Sequence, residues 1–551
     1  YILLDPILIF FVAGSFMGSV KFGGLSRKSF TLLWWFWLVW TGVFIACAAS
    51  VKFVGLFVVC LVGLRTIKEL WNYLGDLSLP IQTFFKHFFI RFICLIILPI
   101  ALYLTFFWIH LKVLNKSGSG DGFFSSAFQS QLVGNSLYNA SMPQYVAFGA
   151  VITLKNHRTG GGYLHSHWHL YPEGIGARQQ QVTSYSHKDD NNKWMIKKYD
   201  REPNPAKDQV EIVKNGDLVR LEHLVTTRNL HSHKELAPLT KKHFQVTCYG
   251  EQGVGDANDV WRVEIIGGAP KEQVKTVTTK FRLIHYLANC ALYSHSKQLP
   301  KWGYEQMEVT CSPNLMDKNT IWNVEDNSFA RLPNISFDVY APSFIEKVIE
   351  SHAVMFQGNA GLKPKEGEVT SRPWQWPINY RGQFFSGNQY KIYLLGNPII
   401  WWGNLALLFV YLLIQVIIAI RQQRGCKHSA RIENANRRFS SASSWLFIGW
   451  LIHYLPFFAM GRVLYFHHYF PAFIFSCMLS AVVINYIIEI TQCIVLIRKV
   501  ATNLDHFLLG TILSIAAYSF YAFSPLSYGI IADSKSANAT NSLKWLESWE
   551  F

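Results

Sequence analysis

The residues that could do chemistry in this chain are few, and they sit at the margins of apolar segments. Lys52 interrupts a long apolar stretch, and Arg462 is followed closely by His467, His468 and Tyr469. A cation at the edge of hydrocarbon can pair with an anion such as a phosphate, and imidazole and phenol groups beside it can donate to the same oxygens. Consecutive side chains on a helix lie about 100° apart, so one of His467 and His468 is expected to pack against a neighbour and not share a pocket with the other. The plain alternative for Lys52 and Arg462 is snorkelling at helix ends. Asp5, at the start of the first apolar run, could orient a hydroxyl if it comes within hydrogen-bond reach. His165, His167 and His169 alternate, so on a strand they share a face in the manner of zinc ligands. The first two belong to a motif whose later copy has Tyr293 in the first position, which favours a structural role, and no metal is expected.

Those residues need elements to position them. Half of the 551 residues are apolar, 15% are aromatic and only 16% are charged, which excludes an ordinary cytosolic enzyme and a disordered chain. Apolar runs cluster at both ends, at about 1–20, 31–50, 51–66 and 88–111, then 394–420, 444–461, 463–490 and 506–525. About 20 apolar residues of helix cross a bilayer, so eight spans are expected, with the short pair 31–66 meeting near Lys52. The net charge of +16 would suggest nucleic acid in a soluble protein, but much of it lies in loops between the runs. The segment 421–438 carries Arg421, Arg424, Lys427, Arg431, Arg437 and Arg438 against Glu433 alone, which places it in the cytosol and 112–393 on the opposite side. Sequons at Asn115, Asn139, Asn334 and Asn538 all fall on that opposite side, where glycosylation is possible. With Tyr1 already inside an apolar run, the sequence reads as the remainder of a longer chain.

Between the two groups of spans the character changes. Residues 112–139 read as a linker, 140–330 are polar and rich in Val, Thr, Tyr and Gly, and 331–393 form a Pro- and Trp-rich connector. The span-rich segments are 1–111 and 394–525, and 526–551 is a tail. The middle segment repeats: Leu164-His165-Ser166-His167 recurs as Leu230-His231-Ser232-His233 and, altered, as Leu292-Tyr293-Ser294-His295. Val182-Thr183 recurs as Val246-Thr247 and Val309-Thr310, and Trp194 as Trp261 and Trp322. From the Leu to the Trp is 30, 31 and 30 residues. Three copies with a period of 61 to 67 suit a closed threefold body, a β-trefoil, better than an open array. Of the nine Cys, Cys248, Cys290 and Cys311 lie in this region, where one disulfide is possible but its connectivity is not written in the spacing.

At these repeats the chain resembles a family. The tetrads look like the MIR motifs of protein O-mannosyltransferases, inositol trisphosphate receptors and ryanodine receptors. Leu3-Leu4-Asp5-Pro6, Lys52-Phe53-Val54-Gly55-Leu56-Phe57, Gly118-Ser119-Gly120-Asp121, Leu394-Leu395-Gly396-Asn397-Pro398 with Trp401-Trp402, and His467-His468-Tyr469-Phe470-Pro471-Ala472 are similar to the mannosyltransferase pattern. Tyr171-Pro172-Glu173-Gly174, Gln179-Gln180-Gln181 and His187-Lys188-Asp189 look most like the protein O-mannosyltransferase 2 branch. The resemblance implies a polytopic α-helical GT-C type glycosyltransferase with a lumenal all-β insert, in the endoplasmic reticulum membrane. It implies transfer of mannose from dolichyl phosphate mannose to Ser or Thr of secretory proteins, no tightly bound cofactor, no nucleic acid, and a partner of the protein O-mannosyltransferase 1 type. Lys52, Arg462, His467, His468 and Tyr469 are then the donor-phosphate candidates, and Asp5 a candidate to orient the acceptor. The family's catalytic Asp-Glu pair is expected upstream of residue 1. Two other readings remain at this point: a MIR-containing membrane binding or channel protein, and a catalytically silent partner subunit.

Overall fold

The computed structural model describes residues 4–157, 161–202, 209–364, 370–386, 390–426, 429–494, 498–531 and 543–551. It divides into two compact units, Tyr1–Ile109 with Ala360–Phe551, and His110–Asn359.

The first unit begins with helices α1 (Asp5–Gly24), α2 (Leu32–Val51) and α3 (Leu56–Gly75), followed by α4 (Ile81–Phe92), which passes through a π-helical stretch, Ile93–Ile97, into α5 (Leu98–Val113). Pro6 favours the start of α1, because its fixed φ suits the first helical turn and its missing N–H would have no partner there. Between α2 and α3, Lys52 is extended (φ −162°, ψ 144°) and a 3₁₀ turn, Phe53–Gly55, completes the corner. A Cβ on Gly55 would run into the Ala48 carbonyl, so the corner closes only around a residue without one.

Seven helical segments, not the expected eight, are long and apolar enough among the described residues to cross a membrane: Asp5–Gly24, Leu32–Val51, Ile81–Val113, Pro398–Gln423, Ala430–Ala459, Phe466–Gln492 and His506–Tyr528. The run at 51–66 is instead the first part of α3, which continues to Gly75 with Arg65, Lys68 and Glu69 in its second half. Those charges find partners beside the helix. Arg65 donates to Ser19 Oγ at 3.0 Å and lies over the rings of Phe16 and Trp445, while Arg91 pairs with Glu69 at 3.3 Å.

The second unit opens with a short helix, α6 (Ser126–Gln129), capped by the Ser125 side chain. Strand β1 (Ser141–Pro143) leads into twelve strands: β2 (Val151–Asn156), β3 (Tyr163–Leu170), β4 (Gln180–Tyr185), β5 (Lys193–Lys198), β6 (Leu218–His223), β7 (Arg228–Leu236), β8 (Phe244–Tyr249), β9 (Trp261–Ile265), β10 (Phe281–His285), β11 (Ala291–Gln298), β12 (Met307–Ser312) and β13 (Trp322–Ser328). Strands β2, β5, β6, β9, β10 and β13 pair in a ring, each with the next and the last with the first, which closes a six-stranded barrel. Hairpins β3–β4, β7–β8 and β11–β12 are joined through β4, β8 and β12, each of which pairs with the other two. This is the β-trefoil.

The anchors of the repeat explain themselves in this fold. Each Trp indole donates to the carbonyl of the Leu that begins its own repeat: Trp194 to Leu164 at 2.8 Å, Trp261 to Leu230 at 2.9 Å and Trp322 to Leu292 at 2.9 Å. All three Trp and all three Leu are fully buried in one core with Val182, Val246 and Val309. The Thr after each Val closes a ring about the threefold axis. Thr183 bonds Gln306 at 2.5 Å, Thr247 bonds Gln179 at 2.6 Å and Thr310 bonds His243 at 2.9 Å, each partner standing three residues before the Val of another repeat. The disulfide joins Cys290 and Cys311, with Cα atoms 5.3 Å apart, and leaves Cys248 a free buried thiol that burial pushes up to about 12. Strand β14 (Asn334–Ser336) then pairs antiparallel with β1, and helix α7 (Phe344–Gly361) occupies part of the Pro- and Trp-rich connector.

The rest of the first unit is the hairpin β15 (Gln383–Ser386) and β16 (Tyr390–Leu394), helices α8 (Pro398–Gln423), α9 (Ala430–Tyr454), α10 (Phe470–Ile494) and α11 (Arg498–Tyr528), and β17 (Ile530–Ile531), which adds to β16. Spacing of four residues lines up Leu8, Val12 and Phe16 on α1, and Phe475, Leu479 and Val483 on α10. These stripes share one core with Ile45, Val58, Leu61, Tyr411, Phe439 and Leu446 from α2, α3, α8 and α9.

Candidate active site

Three segments of the first unit converge. Asp5 is the first residue of α1 and is buried, while Lys52 is the extended residue at the α2–α3 corner. Lys52 Nζ donates to Asp5 Oδ1 at 3.3 Å, with the Lys side chain about one quarter exposed and the Asp nearly enclosed. The carboxylate offsets part of the cost of holding an ammonium group at the apolar edge, and it fixes the direction in which the ammonium's remaining protons point.

The third segment is the turn before α10. A 3₁₀ helix, Phe466–Tyr469, follows an extended Tyr465 whose N–H donates to His468 Nδ1 at 3.0 Å. His467 stacks on Tyr465 and on His468, and its Nδ1 is buried with no hydrogen-bond partner among the described residues. The charges of both Asp5 and Lys52 act on His467, and those of Lys52 and Arg462 act on His468, so the five groups are electrostatic neighbours. Arg462 is half-buried in the segment leading to this turn, where its Nε donates to the Val463 carbonyl at 3.3 Å.

His468 and Tyr469 are the more enclosed of these side chains. His468 is buried and stacks on Trp376, and the Tyr469 hydroxyl accepts from Trp450 Nε1 at 3.0 Å within the cluster of Trp376, Trp401, Tyr454, Phe457 and Phe466. Asp5, Lys52, Arg462 and His467 therefore supply the polar surface, and His468 and Tyr469 its packed base. The connector completes that base: Ser371 N–H donates to Leu464 O at 2.9 Å, Trp376 Nε1 to Ser371 Oγ at 2.9 Å, Tyr454 Oη to Pro373 O at 3.0 Å, and Trp401 Nε1 to Trp376 O at 2.8 Å. Trp376 was not among the candidate residues; its signal was the Arg372-Pro373-Trp374-Gln375-Trp376-Pro377 run.

What this arrangement can do is hold an anion. A partly exposed ammonium and a buried imidazole nitrogen without a hydrogen-bond partner among the described residues are electrostatic neighbours here, and the Arg462 guanidinium acts on the adjoining His468. The alternating His residues of β3 lie elsewhere. His165 is buried and bonds Asn192 at 2.8 Å, while His167 and His169 pack edge-to-face around Tyr304. Asn115, Asn139 and Asn334 are exposed on the second unit, and Asn538 lies outside the described residues.

Residues 1–115 match the family model for dolichyl-phosphate-mannose-protein mannosyltransferase, 162–333 that for the MIR domain, and 344–549 that for the C-terminal four-helix membrane region of protein-O-mannosyltransferase. The chain is 57% identical to protein O-mannosyl-transferase 2 of Drosophila pseudoobscura pseudoobscura, over all of this chain and 77% of that one. It is 51% identical to protein O-mannosyl-transferase 2 of Danio rerio, over all of this chain and 73% of that one. Among solved structures it resembles the S. cerevisiae protein O-mannosyltransferase Pmt1-Pmt2 complex bound to the sugar donor, with a TM-score of 0.87 and 35% identity over all of this chain and 74% of the matched one. With its fold, its MIR trefoil and its full length all matched, the chain belongs to the protein O-mannosyltransferase family.

Proposed function

We propose that the chain transfers mannose from dolichyl phosphate mannose to Ser or Thr hydroxyls of secretory-pathway proteins, and that the Lys52 corner holds the donor phosphate. In this transfer the bond from the sugar C1 to the phosphate oxygen breaks, a bond from C1 to the acceptor oxygen forms, and the acceptor proton departs. The phosphate gains a negative charge as it leaves. Cations placed beside it are therefore worth more in the transition state than in the bound donor.

The observation that supports this reading is the Asp5-held Lys52 ammonium acting on His467, whose buried Nδ1 has no hydrogen-bond partner among the described residues, with Arg462 acting on the adjoining His468. Asp5 orients the Lys52 ammonium through the 3.3 Å contact, a positioning role in place of acceptor orientation. The likeness to the heteromeric yeast complex supports a partner of the protein O-mannosyltransferase 1 type, and the charge pattern and sequons support an endoplasmic reticulum membrane protein with its trefoil and C-terminus in the lumen.

In the full-length paired complex, Lys52→Ala and Arg462→Ala should each lower mannosyl transfer by about a hundredfold. Lys52→Arg should retain part of the activity, because it keeps the charge while changing its geometry. Wild-type rates in both alanine variants would defeat the phosphate assignment.

A further inference from the structure

We propose that His231, Asp256 and Asp259, with His233 beside them, form a divalent cation site of the zinc type on the second repeat of the trefoil. His231 Nδ1 lies 2.8 Å from Asp259 Oδ1 and 3.6 Å from Asp256 Oδ1, and the three ligand atoms lie within 4.8 Å of one another. Ligands about 2.0–2.2 Å from a tetrahedral zinc ion stand roughly 3.3–3.5 Å apart, so small shifts bring these atoms onto one ion. His231 and Asp259 are almost wholly enclosed, while Asp256 is half-exposed and gives the ion a way in. His233 follows two residues after His231 on the same face of β7. Its ring lies 5.1 Å from that of His231, its Nδ1 is buried without a hydrogen-bond partner, and the Asp256 charge acts on it. The half-buried His233 stands outside that set of three ligand atoms and would have to turn toward the two carboxylates to add a fourth.

The threefold repeat supplies its own controls. In the first repeat the same positions hold His165, Asp189 and Asn192, and His165 Nδ1 meets Asn192 Oδ1 at the same 2.8 Å. In the third repeat Tyr293 replaces the His, and Asn319 donates to its hydroxyl at 3.3 Å. Asp189, Asp256 and Asp317 all cap the short turn that follows. The fold thus needs the capping Asp and a hydrogen-bond acceptor near the tetrad, and a neutral amide serves as that acceptor. The second repeat alone adds a second carboxylate, Asp259, whose Oδ2 accepts from the Asp256 N–H at 2.8 Å while its Oδ1 faces His231.

As drawn, one proton is shared between His231 Nδ1 and Asp259 Oδ1. A metal ion takes that proton's place: from an imidazolium the Nδ1 proton is released to solvent, from a neutral imidazole it is exchanged to Nε2, and the Nδ1 lone pair and carboxylate oxygen bind the ion. Imidazole ligation favours zinc over manganese, calcium and magnesium, which prefer all-oxygen sites.

The test uses the full chain with its partner, stripped with a chelator, and measures Zn2+ binding by competition with a chromogenic chelator, with Mn2+ and Ca2+ as comparators. Wild type should bind one more Zn2+ than Asp259→Asn, or bind it at least tenfold more tightly. Asp259→Asn restores the amide of the first repeat opposite the His but removes the Oδ2 that accepts from the Asp256 N–H, so its unfolding midpoint in chelator should fall slightly below wild type. If it does not fold, Asp256→Asn, which keeps the turn cap, replaces it with the same expectation. Equal zinc stoichiometry and affinity in wild type and variant, or binding of Ca2+ in preference to Zn2+, overturns the site.

Discussion

The three buried Trp residues of the trefoil allow a demanding test, because the same substitution can be made three times in one molecule. Replacing Trp194, Trp261 or Trp322 by Phe removes the indole N–H and leaves the Leu164, Leu230 or Leu292 carbonyl without its donor in a core where all six residues are fully buried. An unsatisfied buried carbonyl costs about 1–3 kcal/mol. The smaller ring leaves a partly filled cavity worth roughly another 1 kcal/mol. Each variant should therefore lose about 2–4 kcal/mol, and the three losses should agree within about 1 kcal/mol, since the three N–H to O distances span only 2.8 to 2.9 Å. Pulse proteolysis of the full chain in a urea series reads the unfolding midpoint of the trefoil. With an m-value of about 2–3 kcal/mol/M, each midpoint should fall by about 1 M. A near-neutral change at one site beside large losses at the others would show that the contacts are not equivalent, and would refute the account of why the Leu–Trp spacing is held.

Two further outcomes follow from other contacts. His223 is fully buried, bonds Thr226 Oγ1 at 2.8 Å and the Asn191 carbonyl at 3.0 Å, and burial pushes its imidazole down to about 4. The unfolded chain therefore binds a proton there that the fold refuses, so the stabilisation is complete above about pH 6.5 and is lost as pH falls from there toward 4. It amounts to about 3 kcal/mol, and His223→Gln should flatten the acid limb of a urea-midpoint profile; an unchanged limb would remove His223 from the account. The Cys290–Cys311 bridge closes a loop across 21 residues of sequence, so the paired Cys290→Ser and Cys311→Ser variant should lose about 3 kcal/mol relative to the oxidised protein and should no longer respond to dithiothreitol.

The repeat was legible because each anchor does one job three times: the Leu offers a carbonyl, the Trp donates to it, and the Val-Thr pair fills the core and closes the ring. Other features depended on contacts that spacing does not encode. Asp5 and Lys52 meet across 47 residues, and nothing in either local sequence names the other. Helix α3 runs on through Arg65, Lys68 and Glu69 because Ser19, Trp445 and Arg91 receive those charges, and a hydropathy reading sees only their cost. Helix geometry led to the expectation that only one of two adjacent His residues packs against a neighbour; their rings stack on each other, and it is contact with Trp376 that makes His468 the more enclosed. The zinc-like alternation drew attention to His165, His167 and His169, whereas the carboxylates that distinguish the second repeat arrive 25 to 28 residues after its own His.

The pairing of β1 with β14 sets Ser141 opposite Ser336 and Pro143 opposite Asn334. The chain therefore enters and leaves the trefoil side by side, zipped like the base of a hairpin. To whatever precedes and follows it, the whole insert has the end-to-end span of a tight turn, so its size adds almost nothing to the entropic cost of joining the segments it interrupts. A domain built this way can be enlarged or trimmed between these two strands without changing the spacing of the chain ends that it presents.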